Sequence, residues 1–306
     1  MNLYRLLHLA TTAAASIPAT AAFSAAPSLQ SLLATNQAGV ASLKEIARSI
    51  SSDEAVAPAD DVFYLRYVLN DYADDDERVS ALKSTIEWRA GEGNAIVSSA
   101  RDAIKSATAS ADGKWDNGPV MSAAPHSAKV TEFLSTQQCI TTTLPSTKDL
   151  FYCVRAGKID DNGLMSAVAI DEMVEFFLYC KEVNAAVADM RSVETDSLVM
   201  IITGNDLQGV PLVGGSADFR KALSASSKLA TKYYPSVNGR TLMLNLPKLL
   251  GALVKLFTPL FPKVVRKRLR FESGPLKDVE DLKDISEGGK GRDAFVSQVT
   301  ALAYDD

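Results

Sequence analysis

The spacing of apolar residues between positions 60 and 93 predicts a small helical unit. In the segment DDDERVSALKSTIEWRAGEG, Val79, Leu82 and Ile86 recur at intervals of three and four residues, which places them on one face of a helix. The acidic residues that open this segment favour a helix start, and the two glycines that close it favour a helix end. We expect the first folded element of the chain to begin near Asp60.

A different pattern begins at Leu150, where short apolar runs alternate with helical periodicity. The runs LFYCVRAG (150–157), SLVMIIT (197–203) and RTLMLNL (240–246) have the length and composition of strands, and the second is typical of a strand covered on both faces. Between the first two, Ile170, Val174 and Phe177 recur at helical intervals. These alternations predict the α/β class, with a central sheet flanked by helices and a small all-α domain before it.

The N-terminus has the pattern of a targeting segment. Between Leu3 and Ala22 the chain is apolar and alanine-rich, Arg5 is its only formal charge, and small residues precede Phe23. This pattern predicts a signal peptide over residues 1–22. Residues 23–57 are rich in Ser and Ala, with no acidic residue before Glu45, and we interpret them as a transit-like or flexible segment.

Changes in composition and periodicity divide the rest of the chain. The loop-rich stretch SATASADGKWDNGPVMSAAPHS separates the helical unit from the α/β pattern. We therefore predict a helical N-terminal domain over residues 58–110, an α/β domain over residues 115–290 and a C-terminal tail over residues 291–306.

Composition excludes several classes of protein. The chain has 306 residues, of which 47% are hydrophobic and 23% are charged, so it can form a folded core. Its net charge of -5 argues against a general nucleic-acid-binding protein, because such proteins are usually basic across a whole face. Three cysteines, without closely spaced pairs, indicate reduced thiols and no zinc site. We expect a monomer without a metal ion or cofactor.

Signatures of catalysis are almost absent. The sequence has two histidines, and only His126 lies outside the N-terminal segment, so a histidine-dependent triad would depend on that residue. No complete phosphate-loop, dinucleotide-binding or nucleophile-elbow motif occurs. The carboxylates Asp160, Asp161, Asp171 and Glu172 would serve acid–base chemistry only if they were buried together; turn and helix-cap roles are the alternative. We predict that the protein is not an enzyme.

The segment LPKLLGALVKLFTPLFPKVVRKRLRF (246–271) combines an apolar helical pattern with a basic cluster. Pro247 suits the start of a helix and Pro259 its end. A core helix would explain the apolar residues alone, and a solvated face would explain the cations alone. Neither explanation accounts for their juxtaposition.

The chain from about Asp60 to Lys290 resembles the CRAL-TRIO family of lipid-binding domains, which includes phosphatidylinositol-transfer and tocopherol-transfer proteins. The likeness is carried by the ordered motifs FYLRY, WRAGE, TGNDLQGV, KYYPSVNGR and LNLPKLLGALVKLFTPLFP, and by SEGGK, where Glu287 replaces the family's aromatic residue. The resemblance implies a CRAL-TRIO-like sheet that encloses an apolar lipid pocket. It also implies that residues 247–257 form a gate helix over that pocket.

The resemblance also implies a set of site residues. Those expected to contact lipid are Tyr152, Thr203, Leu244, Leu249, Leu250, Leu253, Phe257 and Lys267. Those expected to dock on an anionic membrane are Lys263, Arg266, Arg268 and Arg270. Tyr152 could instead be a core tyrosine.

One position departs from the inositol-binding members of the family. Those members have a glutamate directly after Tyr-Tyr-Pro, where this chain has Ser236, although Lys267 fits the second headgroup position. Thr203 matches a threonine that holds phosphatidylcholine in some members, but Ile201 replaces the serine that precedes it. The resemblance therefore leaves the headgroup open.

The function implied is the binding and intermembrane exchange of a phospholipid or another hydrophobic lipid. The alternatives are a lipid-sensing module that presents its lipid to a partner enzyme, and a small-molecule hydrolase or transferase. The context TAAFSAAP resembles the bipartite plastid presequences of algae with secondary plastids, which implies a plastid location. Secretion and the cytoplasmic face of membranes are the alternatives.

Overall fold

The computed structural model of the chain describes residues 27–108, 117–134, 140–143, 149–210, 215–245 and 269–271. The described part begins with helices α1 Leu29–Thr35, α2 Gln37–Ile50, α3 Asp61–Leu69, α4 Asp75–Ala90, α5 Asn94–Thr108, α6 Asn117–Ala123 and α7 Ser127–Val130. It continues with β1 Ile140–Thr143, β2 Leu150–Arg155, a 3₁₀ turn Ala156–Lys158, α8 Asp161–Ala167, α9 Ile170–Thr195, β3 Ile201–Asp206, α10 Ala217–Tyr233, β4 Asn238–Leu244 and β5 Leu269–Phe271.

Helix α4 begins and ends where the sequence predicts. The side chain of Asp74 caps its start by accepting a hydrogen bond from the backbone N–H of Glu77 at 2.8 Å. Gly91 follows its last residue, and Gly93 allows the chain to turn back across Trp88. A Cβ atom at Gly93 would lie 2.4 Å from the Trp88 ring, so a larger residue would not fit there without a shift.

The helical region begins about thirty residues earlier than the sequence predicts. Residues 29–50, which we interpreted as a transit-like or flexible segment, form α1 and α2. Leu29, Val40, Leu43 and Ala47 are buried there in one hydrophobic cluster with α3 and α4. The physical reason is helical periodicity, since Val40, Leu43 and Ala47 are three and four residues apart and cover one face of α2.

The α/β class is confirmed by a five-stranded sheet with the order β1-β2-β3-β4-β5. Strand β1 is antiparallel to β2, and every later pair is parallel. Each of the first two parallel connections contains helices, α8 and α9 between β2 and β3, and α10 between β3 and β4. The short edge strands β1 and β5 were not predicted.

Two hydrophobic clusters contain most of the buried apolar residues among those that the structure describes, while Phe151, Ile202 and Leu242 belong to neither. The first joins α1 to α4. The second is larger and joins α5, α6 and α7 to α8, α9, α10 and the sheet, with Trp88 of α4 at its edge. Helix α5 therefore packs with the α/β part of the chain, although the sequence placed residues 58–110 in one helical domain.

Within the residues that the structure describes, no helix is both long enough and apolar enough to cross a membrane.

Candidate functional site

Tyr152 and Thr203 lie side by side on one face of the sheet. They are register partners in the parallel pair of β2 and β3, and Thr203 is paired in turn with Thr241 of β4. Register partners in adjacent strands point to the same face because side chains alternate along each strand. This face also carries Leu150 and Ile201, which are buried in the second hydrophobic cluster. The structure thus brings two predicted lipid contacts together.

Thr203 is unusual for its position in the sheet. Strand β3 is the central strand and is hydrogen-bonded on both sides. Every other residue of this strand is buried, whereas Thr203 is only half-buried. Tyr152 and Val154 on β2 are also half-buried, and Tyr152 packs against the edge of the helix cluster. On this face Tyr152, Val154 and Thr203 are therefore less buried than Leu150 and Ile201, whereas Asn205, Thr241 and Met243 beside them are buried.

Leu244 does not share this face. It is paired with Asp206, three residues after Thr203, so it points to the opposite side of the sheet. Leu244 and Leu242 are at most 1% exposed on that side. Tyr152, Thr203 and Leu244 consequently cannot line one wall of the same cavity, because a strand turns successive side chains to opposite faces.

Most of the remaining predicted residues fall outside the part of the chain that the structure describes. Leu249, Leu250, Leu253, Phe257, Lys263, Arg266, Lys267 and Arg268 lie in this group. Arg270 lies in β5, where it is the register partner of Leu242. The roles assigned to these residues stay predictions.

Ser236, the position that departs from the inositol-binding pattern, is buried at the contact between the helical region and the sheet. It is 1% exposed and has a φ of 51°, in the left-handed region. Its backbone oxygen accepts a hydrogen bond from Arg66 Nη1 at 2.8 Å. Its hydroxyl donates to Asn70 Oδ1 at 3.2 Å. Ser236 therefore connects α3 to the turn before β4 through two hydrogen bonds.

Arg66 is the centre of this contact. Its Nε lies 2.6 Å from Asp189 Oδ1 of α9, and Nη2 donates to the backbone oxygen of Val199 at 2.9 Å. With the bond to Ser236, one guanidinium ties α3 to α9 and to the turns before β3 and β4. Arg66 is 2% exposed, so these bonds replace its lost hydration.

A second buried arginine extends the same contact. Arg89 Nη1 lies 2.8 Å from Glu182 Oε2, and its other nitrogens donate to the backbone oxygens of Val56 and Ala55, both at 2.9 Å. Both side chains of this ion pair are 7% exposed. The Trp88 ring stacks on Tyr233 at 4.5 Å beside it. We name Arg66, Arg89, Glu182, Asp189 and Ser236 the interdomain network.

The buried environment shifts the pKa values of two residues in this network. Burial raises the pKa of Asp189, although the charge of Arg66 opposes this. Burial alone would lower the pKa of Arg89, but the charge of Glu182, the hydrogen bond to it and the neighbouring tyrosines together raise the pKa above its ordinary value. Arg89 therefore stays charged in its buried position.

The four carboxylates that could have served catalysis have structural roles instead. Asp160 accepts from the N–H of Gly163 at the start of α8, and Asp161 accepts from Ser216 at the start of α10. Glu172 accepts from the N–H of Ala169 at the start of α9. Asp171 is exposed in the first turn of that helix. They are spread over three helix starts, as the alternative interpretation expected.

His126 lies in the same surface region. Its Nε2 is 2.7 Å from Glu175 Oε2, and its Nδ1 is 3.4 Å from Glu172 Oε1. Both neighbours are glutamates, and neither is a serine, cysteine or threonine. Among the residues that the structure describes, no group of three potential metal ligands occurs.

The sequence did not predict the roles of the individual residues in the interdomain network. Arg66 and Arg89 belong to the motifs FYLRY and WRAGE, in which a charged residue interrupts an otherwise apolar helical face. That interruption is a signal of a buried ion pair, because a lone charge in a core is costly. Their partners Asp189 and Glu182 lie 123 and 93 residues away, and no sequence pattern pairs them.

Comparisons with known proteins address the α/β part of the chain. Residues 146–285 match the family model of the CRAL/TRIO domain. Among solved structures, the crystal structure of Sfh5 is similar, with 18% sequence identity and a TM-score of 0.47, over 73% of this chain and 67% of that chain. A comparison with curated proteins gives no match.

The matched residues include strands β2 to β5, the half-buried residues Tyr152, Val154 and Thr203, and the segment between β4 and β5. The resemblance drawn from the motif order is therefore confirmed over residues 146–285, which match the CRAL/TRIO domain, a family that binds or transfers lipids in general.

Proposed function

We propose that this protein binds a phospholipid or another hydrophobic lipid without chemical turnover and exchanges it between membranes. The lipid lies against the carboxyl half of the sheet face that carries Tyr152 and Thr203. Residues 247–257 act as the gate that closes over it and opens at a membrane surface.

The observation that supports this proposal is the half-buried state of Thr203. A side chain in the middle of a paired central strand is accessible only where nothing packs directly against it. Helices α9 and α10 cover Leu150 and Ile201 at the amino end of the same face. Beyond them, Tyr152, Val154 and Thr203 are only half-buried, and we propose that the lipid contacts this part of the face.

Topology supports the position of the gate. Parallel strands joined through a crossover almost always have a right-handed connection. Strands β2 to β5 follow one another in chain order across the sheet, so connections of one hand all lie on one face. The helices of the first two connections pack on the Thr203 face. The same rule favours that face for the connection from β4 to β5.

The energetics of lipid transfer explain why a gate is needed. Each acyl CH₂ group removed from water contributes about 0.8 kcal/mol, so release of a two-chain lipid into water would cost on the order of 20 kcal/mol. Opening at a membrane avoids most of this cost, because the lipid passes between two apolar environments. The basic residues Lys263, Arg266, Arg268 and Arg270 would favour docking there, at about 1 kcal/mol for each cation near an anionic surface.

The buried position of Ser236 bears on headgroup choice. At 1% exposure, with its hydroxyl and its carbonyl both engaged by the helical region, Ser236 is not available to a headgroup. We therefore propose no selectivity for inositol lipids.

Native mass spectrometry tests the proposal. The full chain is incubated with vesicles of phosphatidylcholine, phosphatidylinositol and galactolipids, separated from them and weighed. We expect one bound lipid that exchanges with labelled vesicles. Thr203→Phe, which fills the proposed cavity, should reduce loading at least about tenfold. Thr231→Phe, the same change at an exposed position of α10, should load like the unaltered protein.

Two results would contradict the proposal. One is an unloaded mass for the unaltered protein under these conditions. The other is equal loading of both variants, which would place the lipid away from Thr203. A bound lipid that stays bound in the presence of acceptor vesicles would instead favour lipid sensing.

The plastid location stays a prediction. The fold limits where a presequence could be cleaved. Removal of residues 1–57 would take away Leu29, Val40 and Leu43, which are buried against α3 and α4. We propose that any presequence cleavage occurs before α1. Mass analysis of the N-terminus of the protein purified from its natural source tests this.

A further inference from the structure

A cleft of about 420 Å³ lies between the helical region and the α/β part, away from the Thr203 face. Residues 54–60 and α3 form one wall, and α5 and α9 form the other. None of the predicted lipid contacts on the sheet lines this cleft. The cleft is therefore a feature separate from the proposed lipid site.

An apolar stripe runs from this cleft along α9. Its members Ala186, Met190 and Val193 follow one another at intervals of four and three residues, so they lie on one side of the helix. Ala186 and Met190 line the cleft, and Val193 lies one turn beyond it. Met190 is 39% exposed and Val193 is 57% exposed. The stripe thus carries two of the three large apolar side chains that are exposed in the described part of the chain, the third being Ile50.

The N-terminal segment joins the fold at the end of this stripe. The backbone N–H of Leu29 donates to the backbone oxygen of Asp196 at 3.0 Å, and the N–H of Gln30 donates to Asp196 Oδ1 at 2.9 Å. Asp196 follows the last residue of α9 and lies three residues after Val193. Ser28, the N-cap of α1, is therefore held beside the C-terminal end of the stripe.

The chain before Ser28 is long enough to follow the stripe to the cleft. Met190 lies six residues before Asp196, which is about 9 Å along a helix that rises about 1.5 Å per residue. Phe23 lies five residues before Ser28, and an extended chain of that length spans about 16 Å. Phe23 can therefore reach the mouth of the cleft.

The composition of residues 23–28 suits an apolar surface. Their sequence, FSAAPS, has no charged side chain, and no Asp, Glu, Lys or Arg occurs between Arg5 and Lys44. Phe23 is the only aromatic residue between positions 5 and 62. An aromatic ring buries a large apolar area and makes favourable contacts with the sulfur of methionine. The exposed Met190 at the cleft mouth is such a partner.

We propose that residues 23–26 form an N-terminal strap, which lies along the stripe and places the Phe23 ring in the mouth of the cleft, on Met190 and Phe63. On its way the strap covers Val193. A signal peptide over residues 1–22 would leave Phe23 as the first residue after cleavage, so the strap is kept. The strap closes the cleft between the helical region and the α/β part, and it does not depend on the proposed lipid site.

Photo-crosslinking of the full chain tests the contact directly. Phe23 is replaced by p-benzoylphenylalanine, an amino acid of similar shape whose ketone reacts with nearby C–H bonds under ultraviolet light. After digestion with trypsin, mass spectrometry identifies the peptides that are joined. We expect crosslinks within one molecule to the peptide 182–191, which contains Met190.

A matched pair of substitutions tests whether the strap shields Met190. Phe23→Asp places a charge at the ring position, and Ser24→Asp places the same charge at the next residue, whose side chain points away from α9 in an extended strap. Hydrogen peroxide oxidises accessible methionines, and the half-buried Met165 of α8, which does not line the cleft, is the reference in each sample. The ratio of the Met190 rate to the Met165 rate should rise about threefold or more in Phe23→Asp and stay within about 1.5-fold in Ser24→Asp.

Three results would overturn the proposal. The first is the absence of a crosslink to the peptide 182–191. The second is a crosslink that joins two molecules, which would place the strap on a second copy of the chain. The third is an unchanged rate of Met190 oxidation in Phe23→Asp, which would show that the strap does not cover this residue.

Discussion

The interdomain network and the Thr203 face differ in how completely their side chains are hydrogen-bonded and buried. In the network, Arg66 is 2% exposed and each of its three nitrogens has an oxygen partner. On the sheet face, Thr203 is half-buried on a strand whose other residues are all buried. A saturated contact holds one geometry, because any movement leaves a buried charge unpaired. A partly uncovered surface leaves room for a ligand.

The comparison also separates two kinds of motif residue. The motifs around Arg66, Trp88 and Tyr233 carried the resemblance to the family, and all three residues lie at the contact between the helical region and the α/β part. Thr203 is the first residue of the motif TGNDLQGV on the sheet. In this chain, much of the recognisable signature therefore maintains the arrangement of the parts. The surface proposed to hold the cargo carries less of it.

The largest expected effect comes from breaking the network. Arg66→Ala leaves Asp189 and two backbone oxygens buried without their donor, and should lower the free energy of unfolding by about 3–5 kcal/mol. Urea denaturation measures this. Arg191→Ala, which removes a surface pair with Glu194, is the control and should cost less than about 1 kcal/mol. Similar losses in the two variants would show that the network is not saturated as described.

A matched pair of substitutions on the sheet tests whether the Thr203 face has space. Thr203 and Thr241 are register partners on one face, but Thr241 is 3% exposed and Thr203 is half-buried. Thr241→Phe should cost about 1–3 kcal/mol through overpacking, and Thr203→Phe should cost less than about 1 kcal/mol. Thermal unfolding of both proteins without lipid measures the difference. A larger loss of stability for Thr203→Phe than for Thr241→Phe would show that the Thr203 face has no free space.

The smallest effect concerns the pH dependence of stability at the edge of the network. Burial raises the pKa of Asp60, and the charge of Asp61 adds to this, so the folded state holds the proton more tightly than the unfolded state. The ionised form is therefore disfavoured by folding, and stability falls as the pH rises through the two pKa values. Asp60→Asn should be more stable than the unaltered protein at neutral pH. The difference should vanish below about pH 3.9, the ordinary pKa of Asp.

This prediction is checked by denaturation of both proteins between pH 3 and pH 7, a range set by the ordinary pKa values. Asp61→Asn is the control, because no comparable burial acts on that exposed residue. A variant that loses stability at neutral pH would mean that the carboxylate of Asp60 is stabilised by its surroundings.

Strong local patterns were predicted well. The apolar runs led to β2, β3 and β4, and the acidic start and glycine end of α4 were placed correctly. The three-residue strand β5 and the threonine-rich β1 are too short to produce a pattern of their own. Helices α1 and α2 were missed for another reason: their Ser and Ala content is shared by transit segments and by small-residue helices. The burial of Val40 and Leu43 depends on a partner surface elsewhere in the chain.

The sequence by itself determined the class of the protein: the alternation of strands and helices, the order of the family motifs and the helix starts, all of which depend on residues close together in the chain. Only the tertiary structure decided which side chains meet. Arg66 and Asp189 are 123 residues apart, and the separation of Thr203 from Leu244 depends on a register in which one step reverses the face. Local periodicity encodes an element, whereas the partner of a buried charge and the cover of a sheet depend on how distant elements pack.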